Sequence, residues 1–122
     1  MAIQVHVHDD AVDIELTGPD RMLALKSHLR VPMSVVTDAR VASQQDLKAE
    51  LGWRVGGTYV PGCVAAGHYS TRGRKGVRQL WSAYRDPEVL VIETSLANPW
   101  RIVLQHPDRD RLAWLIAERA HR

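Results

Sequence analysis

The sequence predicts a mainly β fold: a β-barrel of about seven antiparallel strands with one C-terminal α-helix capping it. Residues 3–8 and 12–16 alternate apolar and polar side chains with a period of two, as strands buried on one face do. Further strand-like runs at 29–31, 35–42, 63–70, 77–85, 88–95 and 100–105 are bounded by stretches carrying Gly, Pro, Asn, Asp or Ser, and the spacing of the last four is that of an antiparallel meander. From Pro107 the period becomes helical, with Leu112, Leu115, Ile116 and Ala120 on one face. The chain has 122 residues, 45% of them hydrophobic and 25% charged. That length and composition suit a single globular domain over 1–122 and exclude a disordered or fibrous chain.

Each element has a local reason. A two-residue turn at Asp9-Asp10 pairs Val7 with Val12, Val5 with Ile14 and Ile3 with Leu16, placing all six on one face. Thr17-Gly18-Pro19-Asp20 is turn chemistry, and Met22 to Leu25 form a short helical turn or an irregular bridge. Pro32 breaks the next strand, so a bend is expected there before pairing resumes across 35–42. Ser43-Gln44-Gln45-Asp46 has capping-box spacing and Gly52 stands where a helix ends, which predicts a helix over 44–51. Four glycines and Pro61 then make 52–62 a loop, with Trp53, Tyr59 and Val60 packed beneath it. Pro107 suits a first helical turn, and Asp108 and Asp110 complement a helix N-terminus, which predicts the last helix over 107–121.

The stretch Leu23-Ala24-Leu25-Lys26-Ser27-His28-Leu29-Arg30-Val31-Pro32-Met33-Ser34-Val35-Val36 resembles the segment before and across the third strand of small bacterial pleckstrin-homology-like (PH-like) proteins, where an aliphatic-Pro-aliphatic step precedes the next strand. It is similar to a stand-alone actinobacterial group of that class. Gly57 to Gly62, Ala66-Gly67-His68-Tyr69, Leu80-Trp81, Val89 to Glu93 and the His106-Pro107-Asp108 start of the last helix follow in the same order, so the resemblance runs over nearly the whole chain. It implies a PH-like bent barrel of about seven antiparallel strands capped by a C-terminal helix. It implies no activity, because fold analogy does not carry chemistry.

Candidate chemistry is sparse. His6 and His8 share a strand face with Asp13 opposite His6, a pattern that can hold a metal with open positions for water or substrate. The competing reading puts both imidazoles in solvent, with His6 and Asp13 as an ordinary cross-strand pair. The glycine-rich 52–62 stretch lacks the Gly-Lys-Ser/Thr ending of a phosphate loop. Cys63 is the single cysteine and reads as a buried, inert thiol, and Ser70, Ser82 and Ser95 stand in no nucleophile context. No complete catalytic constellation emerges, and no cofactor is expected.

Two features point to partners. Arg72, Arg74, Lys75 and Arg78 crowd a turn between two predicted strands, while the whole chain carries only +2, so this is a positive end suited to a carboxylate or phosphate. Trp114 lies on the helix face opposite Leu112 and Ile116, where an aromatic can anchor a contact between subunits. The expected function is a non-enzymatic binding module that recognises a protein or peptide through loops or a sheet edge. Self-association as a dimer is expected too. The alternatives are a metal-dependent enzyme at His6, His8 and Asp13, and a weak binder of anionic membrane surfaces through the 72–78 turn. Nucleic acid fits least, because one four-charge turn offers neither a groove-reading helix nor a stacking platform. The longest aliphatic run, Val89 to Ile92, is far too short to span a bilayer, and without a signal-like N-terminus the expected location is the cytoplasm.

Overall fold

Alternation in the first sixteen residues produces a hairpin in the expected register. In the computed structural model, which describes residues 3–16, 28–48, 51–60, 64–71, 73–83, 87–97 and 99–120, strand β1 (Ile3–Val7) pairs antiparallel with β2 (Ala11–Leu16). Val7 stands opposite Val12, Val5 opposite Ile14 and Ile3 opposite Leu16. The His8 backbone N–H donates to the Ala11 carbonyl at 2.8 Å and closes Asp9-Asp10 as a two-residue turn. Strand β3 (His28–Pro32) adds to the free side of β2. Ile3, Val12, Ile14 and Val31 are buried on the inner face of this three-stranded sheet. The side chain of Leu16 and the bridge read at Met22 to Leu25 lie outside the described residues.

The bend expected at Pro32 is a transit between sheets. Pro32 is extended (φ −60°, ψ 137°), and a 3-10 turn over Met33–Val35 leads into β4 (Val36–Ser43). That strand is one edge of a second, six-stranded sheet. Helix α1 (Gln44–Lys48) follows, shorter than the expected 44–51. Its first backbone N–H, that of Gln44, donates to the Pro87 carbonyl. The glycine-rich segment expected to be a loop is instead strand β5 (Leu51–Val60), paired with β6 (Val64–Thr71) from Leu51↔Thr71 to Val60↔Val64. Register shifts between Leu51 and Arg54 and between Arg54 and Gly56 take up extra residues. An outermost strand has one neighbour to satisfy and tolerates glycine and such bulges. Cys63 lies outside the described residues, as do the side chains of Trp53, Tyr59 and Val60.

Strands β7 (Arg74–Ala83), β8 (Glu88–Thr94) and β9 (Arg101–Leu104) complete the large sheet. Its spatial order is β4-β8-β9-β7-β6-β5, with β9 antiparallel to β8 but parallel to β7. The antiparallel meander is therefore corrected: β9 inserts between its two predecessors in the chain. Backbone bonds from Thr94 to Trp100 (2.8 Å), Arg78 to Ala97 (2.7 Å) and Trp100 to Arg78 (2.9 Å) pin the β8–β9 connection onto β7. All four residues of β9 are buried. The described residues thus form nine strands in two sheets, not a closed barrel of about seven.

Helix α2 (Arg109–Ala120) follows the last strand as expected. It begins two residues later than predicted because Pro107 and Asp108 form the preceding turn, with the Asp108 carbonyl accepting from Leu112 N–H at 3.0 Å. The Asp108 N–H donates to His106 Nδ1 at 3.0 Å. Burial holds the His106 imidazole below its ordinary pKa, with Asp108 raising it and Arg111 lowering it further. Leu112, Ala113 and Ile116 are buried, and Leu115 is half-buried. Leu112, Ala113 and Ile116 join one core with the inner face of the small sheet and with Leu90, Ile92, Ile102 and Leu104 of the large one. Two sheets packed face to face, with a helix completing the enclosure, bury the apolar side of each layer. The opposite face of the large sheet carries a second core around Trp81, Val91, Val103 and Tyr69. There the Tyr69 and Trp81 rings meet edge to face at 6.3 Å. Trp81 Nε1 donates to Gln79 Oε1 (3.0 Å), and Gln79 Nε2 donates to Thr71 Oγ1 (3.2 Å), which satisfies this buried polar chain.

Candidate functional site

The outer face of the small sheet is polar because period two sends Gln4, His6, Asp13, His28 and Arg30 away from the core. Asp13, on the central strand, collects the side chains of both neighbours. Arg30 Nη1 donates to its two carboxylate oxygens at 3.0 and 3.2 Å. His8 Nε2 lies 3.0 Å from Oδ2, and His28 Nε2 lies 3.6 Å from Oδ1. Arg30 also reaches Asp10 at 3.6 Å. Asp13 is 16% exposed, against about half for each of its partners.

Of the residues read as a possible metal set, His8 contacts Asp13, while His6 faces Asp13 across the strand pair with its side chain in solvent. The guanidinium of Arg30 holds both Asp13 oxygens, where a metal would need at least one. Among the described residues no group of three His, Cys, Asp or Glu is arranged to hold a metal ion. His28 and Arg30 escaped the sequence reading because the register of β3 depends on where the chain returns after residues 17–27. Once Glu15 is known to face His28 and Asp13 to face Arg30, both follow.

The edges of this sheet follow from the same register. In an antiparallel pair, alternate residues direct both backbone polar groups towards or away from the partner. The His8-to-Ala11 bond assigns His6 and Gln4 to β2, and Val7, Val5 and Ile3 to the outer edge. The Val7 carbonyl indeed accepts from Arg119 Nη1 at 3.0 Å. On β3, Leu29 and Val31 turn inward, and the N–H and C=O groups of His28 and Arg30 turn outward. Among the described residues no strand pairs with that edge. A groove of about 560 Å³, lined by Asp9, Asp10, Met33, Ser34, Arg119 and Ala120, adjoins the hairpin tip.

The basic turn is smaller than the sequence suggested. β7 begins at Arg74, opposite Thr71, and the register then slips so that Arg78 faces Ser70. Gly73 and Gly76 adopt φ of 77° and 81°, the left-handed region that glycine enters at no steric cost. Lys75 is exposed, but Arg78 is half-buried and its backbone is tied to Ala97 and Trp100. Arg74, Lys75 and Arg78 thus all belong to β7. Arg72 and the side chain of Arg74 lie outside the described residues. Trp114 stands where the helical period puts it and is 64% exposed.

A charged cluster that the sequence did not reveal sits on the large sheet. Glu93 accepts from Arg101 Nε (2.9 Å) and Nη2 (2.7 Å), and Arg40 Nη1 approaches it at 3.1 Å while also donating to Asp38 at 2.7 Å. Arg101 stacks on Trp100 at 4.3 Å. Burial pushes the Glu93 carboxyl up, but the hydrogen bonds and charges of Arg40 and Arg101 outweigh it and hold the group below the ordinary carboxylate range. The antiparallel β8–β9 pair sets Arg101 opposite Glu93, and Arg40 reaches the same carboxylate from β4, far away in the chain, so no local pattern announces the full cluster.

Among the described residues no helix is long and apolar enough to cross a membrane. Comparison with family models, curated proteins and solved structures finds no match for this chain.

Proposed function

We propose that this chain is a non-enzymatic binding module of PH-like type that takes an extended segment of a protein or peptide partner along the outer edge of β3. The observation that carries the reading is the outward-facing backbone of His28 and Arg30 on an edge that no described strand covers. An added strand would bond to those groups, and the neighbouring side chains would select its sequence. Carboxylates outnumber guanidiniums on this face and its tip, with Asp9, Asp10, Asp13 and Glu15 against Arg30 and Arg119, which favours a partner strand bearing Lys or Arg. The PH-like assignment is supported by the antiparallel N-terminal sheet, the Val31-Pro32-Met33 step and the helix after the last strand. The parallel β7–β9 pair is a departure from the meander that the assignment implies.

Selection from a displayed library of random decapeptides tests the proposal. Arg30→Pro removes an outward N–H and leaves the bonds to β2 in place, so selected peptides should lose at least tenfold in affinity for it and far less for Arg30→Ala. Peptides that bind Arg30→Pro as well as the parent protein sink the edge-pairing mechanism.

A further inference from the structure

We infer that the exposed face of α2 pairs antiparallel with the same helix of a second copy of this chain, with Trp114 at the two-fold axis. The inference uses a different surface from the β3 edge and stands independently of it. Trp114 is the most exposed large apolar side chain among the described residues, on a helix whose opposite face is buried. Arg111 precedes it by three residues and Glu118 follows it by four, about 4.5 Å and about 6 Å along the axis and both on the same flank, within about 60° of Trp114. Both are exposed. Arg111 reaches Asp108 only at 3.7 Å, between two exposed groups, a contact weak enough to exchange.

The antiparallel direction opposes the two helix dipoles. Were the two helices parallel about a two-fold, each flank would face the opposite one, with Arg111 against Asp110 and Glu118 against Ala117, so an exchange of the Arg111 and Glu118 charges distinguishes the two directions. Antiparallel, with the two-fold axis in the interface, Arg111 of each copy faces Glu118 of the other, giving two ion pairs beside the Trp114 contact. On the other flank Asp110 meets Ala117 of the second copy, a small residue that lets the helices approach without opposing like charges. The face is thus self-complementary in the antiparallel orientation, as a closed two-fold interface requires. Such a dimer would also carry two β3 edges, and a partner with two extended segments would gain from binding both.

Sedimentation equilibrium of the full chain, from low micromolar to high micromolar at modest salt, tests the pairing. The parent should be a dimer. Trp114→Ala, which alters a side chain outside the core, should weaken association at least tenfold without changing the thermal midpoint measured at a dilution where both proteins are monomers. Arg111→Glu and Glu118→Arg should each weaken it, and the two together should restore it. Arg30→Pro should leave it unchanged. A monomeric parent, an undiminished Trp114→Ala dimer, or a double charge reversal no better than the single ones overturns the inference.

Discussion

Two arginine–carboxylate clusters of similar geometry sit on the two sheets and differ in what surrounds them. On the small sheet Arg30 meets Asp13 at 3.0 Å, and on the large sheet Arg101 meets Glu93 at 2.7 Å. The Arg30 side chain is 52% exposed, whereas that of Arg101 is 4% exposed. Water and salt compete with the first pair, and the dielectric around it is high. The second lies inside a sheet strand covered on both faces, where an unpaired guanidinium has nothing to replace the lost hydration. The small difference in distance therefore understates how far these contacts differ in strength. The Asp13 cluster is a surface that can rearrange around a partner, while the Glu93 cluster is part of the structure that holds β4, β8 and β9 together.

Removing one partner from each cluster is the sharpest way to break that comparison. Glu93→Ala removes the carboxylate that the buried Arg101 shares with Arg40 and should cost about 3–5 kcal/mol in urea unfolding. Its pH dependence has a definite sign. The folded-state pKa lies below the ordinary value of 4.5, so the stability contributed by Glu93 is complete above that pH and is lost as pH falls through the lowered folded value. Between pH 6 and 3 the parent should lose stability that Glu93→Ala no longer has to lose. Equal acid sensitivity of the two proteins contradicts the assigned role.

A smaller effect is expected at the turn between β6 and β7. A Cβ added at Gly73 or Gly76 would meet nothing within 4 Å, so replacement by Ala should cost only backbone strain, about 1–2 kcal/mol for each left-handed residue. Thermal unfolding of the two single variants measures it. Neutral outcomes at both positions would show that the turn relaxes into another conformation. The smallest effect belongs to the small sheet, where Asp13→Asn should change stability by less than about 1 kcal/mol and the change should shrink further in high salt. A loss comparable to that of Glu93→Ala would erase the distinction between the clusters.

Elements with a local signal were legible in advance. The hairpin register, the inward set Ile3, Val12 and Ile14, and the exposed Trp114 with buried Leu112 and Ile116 all follow from periods of two and 3.6 along short segments. The 52–62 stretch departs from the expected loop because an edge strand with bulges accommodates glycine, so glycine content alone does not distinguish the two. Half of the candidate site was visible: His8 and Asp13 belong to the hairpin, but His28 and Arg30 arrive from across a connection whose length conceals the register. The continuous apolar runs Val89 to Ile92 and Ile102 to Leu104 were the one clue to central strands buried on both faces.

By itself, then, the sequence determined which residues of this protein turn inward within each element, because that choice depends on side-chain period and on turn chemistry a few residues away. The tertiary structure decided which elements are neighbours. The insertion of β9 between β8 and β7, the transfer of the chain from one sheet to the other at Pro32, and the meeting of Arg40 with Glu93 and of Arg30 with Asp13 all depend on long-range pairing. Such pairings are selected by burying whole sheet faces against one another, and the free energy that selects them belongs to the assembled core rather than to any window of sequence.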